Sequence, residues 1–145
     1  MRGQKAYSLA MVIHKEMYAK SHNVDEQKKL HAQYFELIKR AAYQGHIESI
    51  YDMGNVYEDI GYLGIPNPLY NPEKCVYWYT KACQKGHAEA CNNLAALYES
   101  GKGCEQNWGK ALDLYERSAK LGSPNGKKNY KIMLRDMSKG GKYNK

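Results

Sequence analysis

Large apolar residues recur along this chain at helical spacing, in the same register, three times over. Ten positions before Gly45, Gly86 and Gly122 stand Phe35, Val76 and Leu112, and eight before stand Leu37, Trp78 and Leu114. Seven before stand Ile38, Tyr79 and Tyr115. Four and three before stand the small pairs Ala41–Ala42, Ala82–Cys83 and Ser118–Ala119. The register resumes past each glycine, where Met53, Leu94 and Tyr130 align, followed by Val56, Leu97 and Met133. Two large residues and two small ones on one stripe predict helices that pack closely. The small side chains let a neighbouring backbone approach, and the aromatic ones fill the space left between. No stretch alternates apolar and polar residues between hairpin dipeptides, so strands are not expected.

The punctuation agrees with that reading. Gly45, Gly86 and Gly122 suit helix C-termini, where a left-handed backbone costs glycine little. Asn23 with Glu26 forms a capping-box pattern, and Asn71-Pro72 and Ser123-Pro124 each place a cap before a first-turn proline. The pattern predicts seven helices, near 4–20, 24–44, 47–61, 72–85, 87–100, 107–121 and 124–138. They form a single all-α domain over 1–138, with 139–145 as a disordered basic tail. The first two glycines are 41 residues apart and the last two 36, and the extra five fall between Tyr57 and Asn71. One helix pair cannot bury its apolar face alone, whereas stacked pairs can.

Composition narrows the class. A chain of 145 residues with 43% apolar and 26% charged residues is one ordinary globular domain. It has no apolar run long enough to span a membrane. The beginning, MRGQKAYSLAMVIHKEMY, is interrupted by His14, Lys15 and Glu16 and reads as a helix, not a signal peptide, which favours the cytoplasm. The net charge of +7 is unevenly placed: residues 127–145 hold seven basic residues against Asp136 alone. A basic end can touch nucleic acid, but a solvated terminal helix is the favoured reading.

No motif for chemistry emerges. There is no G-x-S-x-G, no H-E-x-x-H and no phosphate-cradling loop, and ESGKGC lacks the Walker spacing. Cys83, His87 and Cys91 stand four apart, but Gly86 breaks the helix between them and the chain supplies no CxxC pair, so a metal site is not expected. His46 occupies the same repeat position as His87, which suggests a helix-start role for both. Cys75 and Cys104 read as packing residues with nothing to activate them. No cofactor is expected.

The segment YESGKGCEQNWGKALDLYERSAKLG, residues 98–122, resembles the Sel-1-like repeat. The matching positions are Tyr98, Gly101, Gly103, Asn107, Lys110, Ala111, Tyr115, Ser118, Ala119 and Gly122. Cys104 stands where that pattern has valine, and Leu114 where it has an aromatic. The resemblance, which covers about residues 34–134, implies a right-handed α/α superhelix of three to four antiparallel helix pairs, related to tetratricopeptide arrays. It also implies a non-catalytic adaptor or scaffold that holds a peptide or protein on its concave face. The chain is similar, too, to a cysteine-rich bacterial subgroup in which cysteines eight positions apart are bonded across the turn. That similarity offers a disulfide between Cys83 and Cys91, and with it a secreted or periplasmic location; two buried reduced thiols are the alternative.

On the implied concave wall stand Glu48, Tyr51, Asp52 and Asn55, then Glu89, Asn92 and Asn93, then Lys128 and Asn129. Asparagine carries both donor and acceptor, as an extended peptide requires. Tyr62, Leu63, Ile65, Leu69 and Tyr70 make the insertion unusually apolar, either packed on its own repeat or a second contact patch. A toxin-immunity protein using the same face is an alternative function. A weak β-lactamase-like enzyme is another, although the Ser-x-x-Lys constellation is absent. The expected partner is a protein or peptide rather than a small molecule, a membrane or nucleic acid, and the expected state is a monomer.

Overall fold

A computed structural model describes residues 2–19, 22–58 and 67–144. These residues form seven α-helices and no strand. The helices are α1 (Gln4–Ala19), α2 (Val24–Tyr43), α3 (Ile47–Val56), α4 (Pro72–Gln84), α5 (Ala88–Ser100), α6 (Trp108–Lys120) and α7 (Pro124–Ser138), followed by a short 3-10 turn, Lys142–Asn144. The chain gathers into two compact units, Met1–Tyr70 and Asn71–Lys145.

In the first unit α1 packs on α2, and α2 on α3. Asn23 and Glu26 exchange the two hydrogen bonds of a capping box at the start of α2. His46 opens α3: its Nδ1 accepts from the Ser49 amide at 3.3 Å, so the repeated histidine starts a helix. Ala6, Ala10 and Met17 of α1, Ile38, Ala41 and Ala42 of α2, and Ile50 and Met53 of α3 are buried, as the repeat register requires. α3 is shorter than the expected 47–61. It ends at Val56, where the Asn67 side-chain amide donates to the Val56 carbonyl at 2.9 Å and the Glu58 carbonyl at 2.7 Å. An amide from beyond the helix thus satisfies carbonyls that would otherwise call for another turn.

The second unit packs α4 on α5, α5 on α6, and α6 on α7. Asn71, His87, Asn107 and Ser123 cap the four helices through their side chains. The small residues act as the pattern predicts. Ser118 is fully buried and donates to the Ala88 carbonyl at 2.8 Å, and a Cβ on Gly126 would fall on the Ser118 side chain. Gly103, at φ +70°, lies so close to the Pro72 carbonyl that no Cβ fits there. The core of this unit includes Ala95, Ala111, Tyr115, Met133 and Tyr143.

Tyr143 corrects the expectation of a disordered tail. Lys142–Asn144 form a 3-10 turn and Tyr143 is only 7% exposed. Its ring sits edge-on to Trp108, with centroids 5.6 Å apart. One buried aromatic ring with a satisfied hydroxyl is enough to order a short segment that is otherwise basic and polar.

Candidate functional site

Within the first unit, α3 presents Glu48, Tyr51, Asp52 and Asn55 at helical spacing on one face. Glu48 is exposed, while Tyr51, Asp52 and Asn55 are half-buried. Burial, and then the charge of Glu48, push the Asp52 carboxyl up to about 7, against a hydrogen bond from Asn55 that lowers it. Two phenols from the neighbouring helices share this environment. Tyr7 of α1 stacks on His46 with centroids 4.2 Å apart, and burial followed by the charges of Asp52 and Glu48 raises its hydroxyl above the usual range. Tyr34 of α2 is raised by burial first and by Asp52 next. Three helices therefore converge on a desolvated acid–phenol cluster. Sequence reasoning found its α3 carboxylates and missed Tyr7 and Tyr34, which the apolar register had placed as packing residues.

In the second unit the predicted residues of α5 join residues of α7 in a polar ladder. The Ser123 hydroxyl, at the cap of α7, donates to Glu89, and the Asn125 amide donates to the same carboxylate at 3.2 Å. One turn along, Asn129 Nδ2 donates to Asn92 Oδ1 at 2.9 Å, and Asn92 Nδ2 to Asn93 Oδ1 at 3.2 Å. Asn92 is 9% exposed and ties α5 to α7, whereas Asn93 and Asn129 are half-buried and Lys128 is exposed. Past Asn93 the face continues through exposed Ala96 to Glu99 and Ser100. Glu99 is a further residue that sequence reasoning missed. It accepts from the Tyr115 hydroxyl at 2.8 Å, from Lys142 Nζ at 3.3 Å and from the Tyr143 hydroxyl. Burial acts to raise its carboxyl, but the hydrogen bonds from Tyr143, Tyr115 and Lys142 outweigh it and hold the group below the usual range.

Cys83 and Cys91 are bonded, their Cα atoms 4.7 Å apart across the α4–α5 turn. The reduced-thiol alternative is thereby set aside. Arg117 of α6 braces the same turn by donating to the Cys83 carbonyl at 3.0 Å. Cys75 is a buried free thiol, and burial pushes the Cys104 thiol up, away from reactive thiolate character. Of the insertion, Leu69 and Tyr70 are exposed, at 47% and 42%, and Tyr62, Leu63 and Ile65 lie outside the described residues. Among the described residues no group of three or more His, Cys, Asp or Glu could hold a metal ion, and no helix is long and apolar enough to cross a membrane.

Comparison with known proteins gives one family and several solved structures. The Sel1 repeat model matches residues 47–87 and 88–123. No curated protein matches the sequence. The chain is similar to the crystal structure of a Sel1 repeat protein from Oxalobacter formigenes, at 25% identity over 70% of this chain and 28% of that one, with a TM-score of 0.61. It is also similar to c5321, a protective antigen of uropathogenic Escherichia coli strains displaying an SLR fold, at 24% identity over 83% of this chain and 24% of that one, TM-score 0.65. The chain thus spans about a quarter of the length of those two proteins. Helicobacter pylori cysteine rich protein B matches over 86% of this chain and 91% of its own, at 18% identity and a TM-score of 0.57.

Proposed function

This chain belongs to the Sel1 repeat family, and on that premise we propose that it is a non-catalytic module which binds an extended segment of another protein across α5 and α7. Its all-α fold of antiparallel helix pairs is that of a tetratricopeptide-like solenoid. The observation that carries the reading is the ladder of Glu89, Asn92, Asn93 and Asn129. The cross-helix bonds hold the amides in place before any partner arrives, so a peptide backbone need not order them. Each amide offers two donor hydrogens and an oxygen with two lone pairs. The nearby Lys128 adds a charge at the rim. Glu48, Tyr51, Asp52 and Asn55 of the first unit form a second, acidic patch suited to a basic stretch of partner. The protein acts as a monomer in this reading. The Cys83–Cys91 bond supports an oxidising compartment, secreted or periplasmic, over the cytoplasm suggested by the beginning of the sequence.

The test uses the oxidised full chain as bait for native extracts of the source cells, with captured proteins identified by mass spectrometry. Asn92 bridges two helices, so the informative variant is Asn93→Ala with Asn129→Ala, checked for folding by circular dichroism. A partner held by the ladder should lose at least about ten-fold in affinity, about 1.4 kcal/mol. Equal recovery of every captured protein by the folded variant would overturn the reading. An assay for β-lactam hydrolysis should give no turnover.

A further inference from the structure

Glu99 and Trp108 build a small receptor that the chain fills with its own residues. The floor comes from α5 and α6: Ala96, Glu99 and Ser100 on one side, Gln106 and Trp108 on the other. Tyr115, buried on α6, holds the Glu99 carboxylate from beneath with a 2.8 Å hydrogen bond. The receptor is therefore organised by residues that precede its occupant in the chain. Gln106 is fixed as well, its amide donating to the Glu99 carbonyl at 2.8 Å.

The occupant is the pair Lys142–Tyr143. The Tyr143 ring meets Trp108 edge-on and its hydroxyl donates to Glu99, while Lys142 Nζ reaches the same carboxylate at 3.3 Å. The recognition has three elements: an aromatic ring, a phenolic proton and an ammonium group on the preceding residue. Little else holds the segment down. Lys142 keeps 64% of its side chain exposed, Gly140 stands in the left-handed region at φ +70°, and Gly140–Gly141 join the segment to α7. An open cavity of about 440 Å³ lies alongside, with room for residues flanking a bound pair.

We infer that this receptor recognises a lysine–tyrosine pair in an extended peptide, and that Lys142–Tyr143 is its resident ligand in cis, displaced when a partner presents the same pair. The inference deepens the binding reading above but uses different residues. A tethered ligand on a short flexible link acts at an effective concentration of about millimolar, so the cis contact excludes weak ligands and yields to stronger ones.

The experiment is an NMR titration of the oxidised full chain with the blocked pentapeptide Gly-Gly-Lys-Tyr-Asn, reading the Trp108 indole N–H. In Tyr143→Ala the peptide should shift that resonance with about millimolar affinity, and at least about ten-fold less peptide should be needed than in the wild type. Adding Glu99→Gln to Tyr143→Ala should abolish the response, and a Lys-Phe peptide should bind more weakly than the Lys-Tyr one. If Tyr143→Ala does not fold, Tyr143→Phe keeps the ring on Trp108 and loses only the hydroxyl. It must then take up the Lys-Tyr peptide more readily than the wild type does. A folded variant whose Trp108 signal ignores the peptide, or a wild type that responds equally, overturns the inference. Either failure leaves the Asn93 and Asn129 capture experiment untouched, since no residue is shared.

Discussion

Asp52 is a carboxylate placed where charge is penalised. Burial and the neighbouring Glu48 charge raise it to about 7, so between its ordinary value of 3.8 and that point the folded chain binds more protons than the unfolded one. Stability must therefore fall as pH rises through this window, and the penalty is fully present only above about 7. Asp52→Asn removes the charge and keeps an oxygen to accept from Asn55. The substitution should stabilise the protein by roughly 1–3 kcal/mol at pH 8. The gain should vanish near pH 4, where Asp52 is protonated in both states. Urea unfolding of the two chains at several pH values checks this, and a gain that stays constant with pH would show that desolvated charge is not the cause. A residue retained at such a cost on a half-buried face suits a site that meets a cation, which is why α3 is assigned the basic part of a partner.

The α4–α5 turn is where sequence, covalent chemistry and packing meet in one element. Gly86 at φ +90° reverses the chain, the capping His87 starts the next helix, and Cys83–Cys91 bonds across the reversal. Closing so short a loop should stabilise by about 2–3 kcal/mol. Reductant should then lower the unfolding midpoint of the wild type to that of a Cys83→Ser, Cys91→Ser chain and leave that variant unmoved; a wild type indifferent to reductant would contradict the bond. Helix borders such as these were legible in the sequence because their causes are local: Asn71-Pro72, Ser123-Pro124 and the three capping glycines each act within a turn. The end of α3 was not legible, because it is set by Asn67, eleven residues past Val56. Nor was the order of residues 142–144, because Tyr143 docks on Glu99, 44 positions earlier. The candidate site divides in the same way. Helical spacing brought Glu89, Asn92 and Asn93 onto one face, but only the packed helices show that Asn92 is a bridge to Asn129. Tyr7, Tyr34 and Glu99 gave no sequence signal, since an acid or a phenol at a packed position reads as ordinary amphipathicity.

At the scale of the whole chain the open choice is between a partner read by hydrogen bonds and one held by charge. Nearly all of the net +7 lies in residues 127–145, the stretch that also carries Asn129 and Tyr143. A polyanion bound there would neutralise up to about six charges and release as many counterions. Its affinity would then fall roughly a thousand-fold between 50 and 200 mM salt. The structure sets two of those cations other tasks: Lys142 pairs with Glu99, and Lys128 stands beside the Asn129–Asn92 bond at the rim of the ladder. A partner seated on the amides exchanges neutral hydrogen bonds, and its affinity should change by less than about five-fold over the same salt range. The captured partner, titrated by calorimetry at both salt concentrations, decides between the two, with a random DNA duplex as the polyanion control. A shallow salt dependence for the partner, and loss of the duplex at the higher salt, would place recognition in the ladder. A steep fall shared by both would move it to the basic face of α7, and the function with it.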